Sequence, residues 1–88
     1  MNFPFEQKIE ENRIVRTFSP DVDSEELVWH RDKRDRTVTI IKSGDWQYQS
    51  EDELPIKLVE NQKLFIPKES WHRVIKGNNE LIVEIVES

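Results

Sequence analysis

Cysteine is absent from this 88-residue chain, so neither a disulfide nor a thiolate metal site can brace it. Glycine occurs only twice and methionine once. No stretch approaches the run of about 18 apolar residues that a membrane helix needs, and residues 1–10 lack the basic flank and apolar run of a secretory leader. The chain lacks a basic excess as well: 13 Lys and Arg stand against 18 Asp and Glu, a net charge of −5. A protein that neutralises nucleic-acid phosphates normally carries the opposite balance. The one basic cluster, Arg31, Lys33, Arg34 and Arg36, is interleaved with Asp32 and Asp35 and reads as a solvated turn. These absences lead us to expect a soluble, cytoplasmic protein with neither nucleic acid nor membrane as partner. No Ser-His-Asp grouping, glycine-rich phosphate loop or informatively spaced carboxylate pair supports a hydrolase or nucleotide enzyme.

What is present is alternation. Apolar residues alternate with polar ones over short runs punctuated by turn residues, the pattern of strands rather than helices. Eight strands are predicted, at Arg13–Phe18, Glu26–Arg31, Arg36–Lys42, Trp46–Gln49, Ile56–Val59, Lys63–Ile66, Trp71–Ile75 and Leu81–Val86. The third, almost entirely β-branched between two charges, is the strongest of them. With no room for crossover helices, pairing must be antiparallel. A closed barrel or two-sheet sandwich concentrates the apolar side chains of so short a chain in one core, and a homodimer would bury more. Phe5 to Asn12 is charged and has no continuous apolar face, so residues 1–12 are expected to form a loose arm or an added edge strand, with residues 13–88 as the single domain.

Two stretches carry a family resemblance. Asn61-Gln-Lys-Leu-Phe-Ile-Pro67-Lys-Glu69-Ser-Trp-His72 resembles the second sequence motif of the cupins, in which a histidine follows a proline by five positions. Trp29-His30-Arg31-Asp32 through Ser43 resembles the first, with His30 at the position of its first histidine. Asp32 stands where the second histidine would be, Arg36 where the glutamate would be, and Asn61 and Glu69 where the second motif has glycines. An alternative register with one extra residue matches Gly44 to the turn glycine, puts Thr37 in the glutamate's place and turns Arg36 outward. The resemblance covers about Val28 to Ile75 and implies an antiparallel cupin-type β-barrel, a double-stranded β-helix of jelly-roll kind.

By this resemblance, His30 and His72 point into the barrel from neighbouring strands. Strand alternation groups Val28, His30 and Asp32 on one face, Arg36, Val38 and Ile40 on another, and His72 with Val74. Three readings follow. In one, His30, Asp32 and His72 hold a divalent ion such as iron, manganese, zinc or nickel, as in a metal-dependent isomerase or dioxygenase of this fold. Arg36 opposes that ion unless Asp32 or a neighbouring Glu pairs with it. In the second, His30, Arg36, Gln49 and His72 line a polar pocket for a small molecule, with Arg36 clamping an anion and Arg73 and Lys76 helping from the rim. A bland variant makes Arg36 and Asp32 an ion pair at the barrel mouth and the histidines hydrogen-bonded core residues. In the third, exposed Trp46 and Tyr48 stack sugar rings, against the alternative that the three tryptophans are core or dimer-interface mass.

Overall fold

The computed structural model describes residues 4–88. Eight strands form two antiparallel sheets: β1 (Glu6–Glu10), β2 (Arg13–Phe18), β3 (Arg36–Lys42), β4 (Gln47–Ser50), β5 (Ile56–Lys57), β6 (Lys63–Ile66), β7 (His72–Ile75) and β8 (Leu81–Glu87). The larger sheet runs β1-β2-β8-β3-β6 and the smaller β5-β4-β7. The fold is the expected cupin-type double-stranded β-helix. Among the described residues no helix is long and apolar enough to cross a membrane.

Alternation decides which faces meet. Phe18, Val38, Ile40, Ile66, Leu81, Val83 and Ile85 turn inward from the larger sheet; Trp46 and Leu58 meet them from the β4–β5 side. Trp46 is wholly buried, its indole N–H donating to the Asn79 carbonyl at 2.6 Å. A sugar platform of exposed Trp46 and Tyr48 is therefore ruled out. Trp29 and Trp71 alternate with His30, which is exposed, and His72, which is buried, and face out under the guanidiniums of Arg73 and Arg31 respectively.

The N-terminal segment adds an edge strand. Residues 6–10 pair with β2 through a tight turn at Glu11, placing Gln7 opposite Arg16 and Ile9 opposite Ile14. The charges on Glu6, Lys8 and Glu10 suit an open edge, where they discourage pairing with another chain. The expected strand at Glu26–Arg31 does not form. Asp23 caps a 3-10 turn at Ser24–Glu26, its carboxylate accepting from the Glu25 N–H, and only His30 beyond it pairs with a strand, through a lone bridge to His72. The strand expected to reach Val59 stops at Lys57, because Leu58 turns into the core and Gln62 engages both N–H and carbonyl of Val59 to make a turn.

The glycine substitutions of the second motif have a conformational counterpart. Asn61 and Glu69 both adopt left-handed backbone angles, φ 70° and 63°. The chain's two glycines lie against each other elsewhere. A Cβ on Gly44, whose φ is +55°, would stand 2.3 Å from the Glu80 carbonyl oxygen, and one on Gly77 would stand 2.3 Å from that of Gly44. The loop after β3 and the loop before β8 touch backbone to backbone, and a methyl group cannot enter. We predict that Gly44→Ala lowers unfolding free energy by more than about 2 kcal/mol in urea titration, through both clash and strain; a loss below about 0.5 kcal/mol would refute the close approach.

Candidate functional site

The segment from His30 to Asp35 is stitched to the loop that leads into β7. His30 and His72 exchange backbone hydrogen bonds, N–H to carbonyl, at 3.0 and 2.9 Å; the Glu69 N–H donates to the Asp32 carbonyl at 2.7 Å; the Lys68 N–H donates to the Asp35 carboxylate at 2.8 Å. A directly opposed antiparallel pair places its side chains on the same face, and the two imidazoles meet with ring centroids 4.3 Å apart. Asp32, two residues beyond His30, returns to that face.

Both imidazoles are oriented by main chain. His72 Nδ1 lies 3.0 Å from the Ser70 carbonyl oxygen and His30 Nδ1 lies 3.2 Å from that of Val28. A carbonyl only accepts, so each Nδ1 carries a proton and the neutral form of each ring presents its lone pair at Nε2, the arrangement typical of metal-binding histidines. Nε2 of His72 faces Asp32 Oδ2 at 3.3 Å. That oxygen is buried and has no hydrogen-bond partner among the described residues. Two acceptors thus confront each other in a desolvated place, costly unless a proton or cation lies between them. Burial holds the His72 imidazole below its ordinary value, and His30 and Arg36 add to the lowering against the pull of the Ser70 carbonyl and Asp32. A neutral ring therefore faces the carboxylate near neutrality. One ligand atom each from His30, Asp32 and His72 lies within 4.8 Å of the other two.

Arg36 enters the same cavity, which selects the first motif register; Thr37 is exposed on the other face of β3. Its charge is met. Glu87 Oε2 accepts from Nε at 2.9 Å and lies 2.8 Å from Nη2, while Nη1 reaches Asp32 Oδ1 at 3.3 Å. Arg36 thus draws one carboxylate oxygen of Asp32 to itself and leaves the other toward the imidazoles, so the expected Arg36–Asp32 ion pair is present but shared. Sequence reasoning missed Glu87. The signal was available: Leu81, Val83, Ile85 and Glu87 share one face of β8, so a charge ends an inward apolar run.

The cavity measures about 410 Å³, within the range of small-molecule sites. His30, Asp32, Arg36 and His72 line it together with Arg16, Tyr48 and a largely apolar wall including Val38, Leu64 and Ile85. Burial pushes the Tyr48 phenol up, so it stays protonated near neutrality. Gln49 is not among the lining residues. It alternates with Tyr48 to the other face of β4, donating to the Glu53 carbonyl and accepting from Arg73. Arg73 and Lys76 are likewise engaged elsewhere, Lys76 donating to the Val22 carbonyl.

No protein-family model matches the chain, and no curated protein matches it in sequence. Solved structures do resemble it. An RmlC-like cupin family protein with a double-stranded β-helix fold from Methanocaldococcus jannaschii superposes with TM-score 0.75 at 16% identity, over 96% of this chain and 77% of that one. A cupin domain from Bordetella pertussis Tohama I matches with TM-score 0.65 at 21% identity, over 100% and 98% respectively. A structure described as DMSP lyases matches with TM-score 0.72 at 16% identity over 85% of this chain, which spans only 36% of that protein. At these identities the likeness establishes the fold.

Two outcomes test the site. The folded pKa of His72 lies below its ordinary 6.5, so the folded state binds fewer protons than the unfolded chain. In metal-free protein this contribution to stability is complete above that value and declines as pH falls beneath it, so the urea midpoint should drop between about pH 7.5 and 5.5, and less so in His72→Gln. Measured in an Arg36→Gln background, so that the Arg36–Asp32 ion pair is not also lost, Asp32→Asn, which offers an N–H to the His72 lone pair, should stabilise metal-free protein by about 1 kcal/mol; destabilisation there would mean that the carboxylate is already satisfied.

Proposed function

We propose that this protein is a metal-binding cupin that holds a small molecule, with His30, Asp32 and His72 as ligands to one divalent ion inside the cavity. One observation carries the reading: the unpartnered, buried Asp32 Oδ2 facing a lone pair of His72. A cation between them removes the repulsion and fits both donors. Two imidazoles and one carboxylate suit iron(II), manganese, zinc or nickel with positions left for ligand or water. When bound, such an ion polarises a ligand oxygen as a Lewis acid.

The chain's own residues do the rest. The Val28 and Ser70 carbonyls fix the imidazole tautomers and ring orientations. Arg36 orients Asp32, and Glu87 neutralises Arg36 so that the guanidinium does not expel a dication. The apolar wall excludes water from the ligand. A receptor or regulatory module and a metal-dependent isomerase or dioxygenase are both compatible with this centre, because a fold does not choose between them.

Calorimetric titration of metal-stripped protein with zinc, manganese, iron(II) and nickel, backed by elemental analysis, should find one ion per chain for at least one of them. His72→Ala and Asp32→Ala should weaken binding at least about 100-fold, and Glu87→Gln, which leaves Arg36 undercompensated, about 10-fold. Failure of all four ions to bind would overturn the proposal.

A further inference from the structure

The inner wall of the larger sheet is apolar at its centre, where Val38, Ile40, Val83 and Ile85 lie side by side on adjacent strands. Two guanidiniums interrupt it, and their situations differ. Arg36 is answered by Glu87 and Asp32. Arg16, inward on β2 opposite Val83, has no carboxylate within ion-pair distance among the described residues. Its Nε–H donates to the Gln7 side-chain oxygen at 2.7 Å, and its guanidinium lies over the Phe5 ring, 4.2 Å from the centroid. Both contacts are with neutral groups. Nη1 and Nη2 make no hydrogen bond among the described residues, and the side chain lines the same cavity as the histidine pair.

A guanidinium stays charged at every physiological pH; partial burial here weighs against the charged form, with Arg36 acting in the same direction and the carboxylates of Asp32 and Glu87, beyond ion-pair distance, acting against it. A partly buried cation of this kind, held from behind by Gln7 and Phe5 and with its outer nitrogens uncommitted, has the form of an anion receptor. Nη1 and Nη2 match a planar carboxylate, which two parallel N–H bonds can hold. The surroundings set the rest of the ligand. A single guanidinium with no carboxylate within ion-pair distance matches one negative charge, whereas a phosphate dianion would leave its second charge among apolar side chains. The cavity of about 410 Å³ is at the small end for organic ligands.

We propose that the cavity takes a compact monocarboxylate with an apolar body, its carboxylate held by Nη1 and Nη2 of Arg16 and its body against Val38, Leu64 and Ile85. This assignment deepens the ligand-binding reading above and names a recognition residue on a strand outside both cupin-like motifs. Gln7, which fixes Arg16 from the edge strand, is a positioning residue.

The test is calorimetric titration with pentanoate and benzoate, each against its uncharged amide, using metal-free and zinc-equilibrated protein. The acids should bind at least about 10-fold more tightly than the amides, as expected for hydrogen bonds to a charged group. Arg16→Gln should abolish that preference. Gln7→Glu should do the same by supplying an internal carboxylate to Arg16, and because it deletes no packing its melting temperature should not fall. Neither variant should change zinc stoichiometry, which reports on His30, Asp32 and His72; loss of zinc binding with the acid preference intact would strike only the metal reading. The inference is overturned if neither acid binds, if acids and amides bind alike, if Arg16→Gln and Gln7→Glu keep the preference, or if acids bind only with zinc and regardless of Arg16.

Discussion

The reciprocal pair of backbone hydrogen bonds between His30 and His72 is the constraint on which the site depends. Outside it, residues 28–35 have little regular structure: a short 3-10 turn precedes them and the charged run that begins at Arg31 occupies their second half. One bridge fixes where that segment crosses β7, and alternation then delivers His30 and Asp32 to one side and Trp29 and Arg31 to the other. The neighbouring contacts from Asp32 to Glu69 and from Asp35 to Lys68 keep the segment from sliding. A shift by one residue would carry every inward side chain to the solvent face, exchanging the imidazole and carboxylate for an indole and a guanidinium.

The electrostatics are ordered by that placement. A small apolar cavity tolerates charge only where it is paired or hydrogen-bonded. Glu87 and Arg36 form a partly buried pair at the adjoining ends of β8 and β3, and Arg36 extends to Asp32, so a chain of alternating charges leads from the sheet to the imidazoles. The chain stops at Asp32 Oδ2 without a partner. Arg16 is the complementary defect, a cation met only by neutral groups. An apolar cavity with one unmatched acceptor and one unmatched donor group is organised for occupants that supply what is missing: a cation at one place and an anion at another.

Much of this was legible in the residues. The β-branched run Arg36–Lys42 reads as a strand on any reasoning; the cupin resemblance points His30 and His72 toward the barrel, and period-two alternation groups Asp32 with His30. Where local pattern and tertiary pairing disagreed, pattern failed. Val28 to Arg31 alternates well enough for a strand, but the Asp23 cap and the charges after His30 leave a single bridge. Gln49 was placed in the pocket because its amide suits ligand binding; parity with Trp46 and Tyr48, which was in view, puts it outside. Glu87 and Arg16 were missed for a different reason. Both lie outside the motif-like stretches, and their roles arise from neighbours 51 and 9 residues away along the chain, Arg36 and Gln7, which only the sheet register brings together.

The site rests on a neutral His72 imidazole that turns an unprotonated Nε2 toward the Asp32 carboxylate. Long-range proton–nitrogen NMR correlation of metal-free protein, with imidazole nitrogens labelled, reads this directly. At neutral pH His72 is expected as the Nδ1–H tautomer, with Nε2 at the chemical shift of a bare, pyridine-like nitrogen. An Nε2-protonated His72, donating to Asp32, would mean that the carboxylate already has its partner and that no cation is called for.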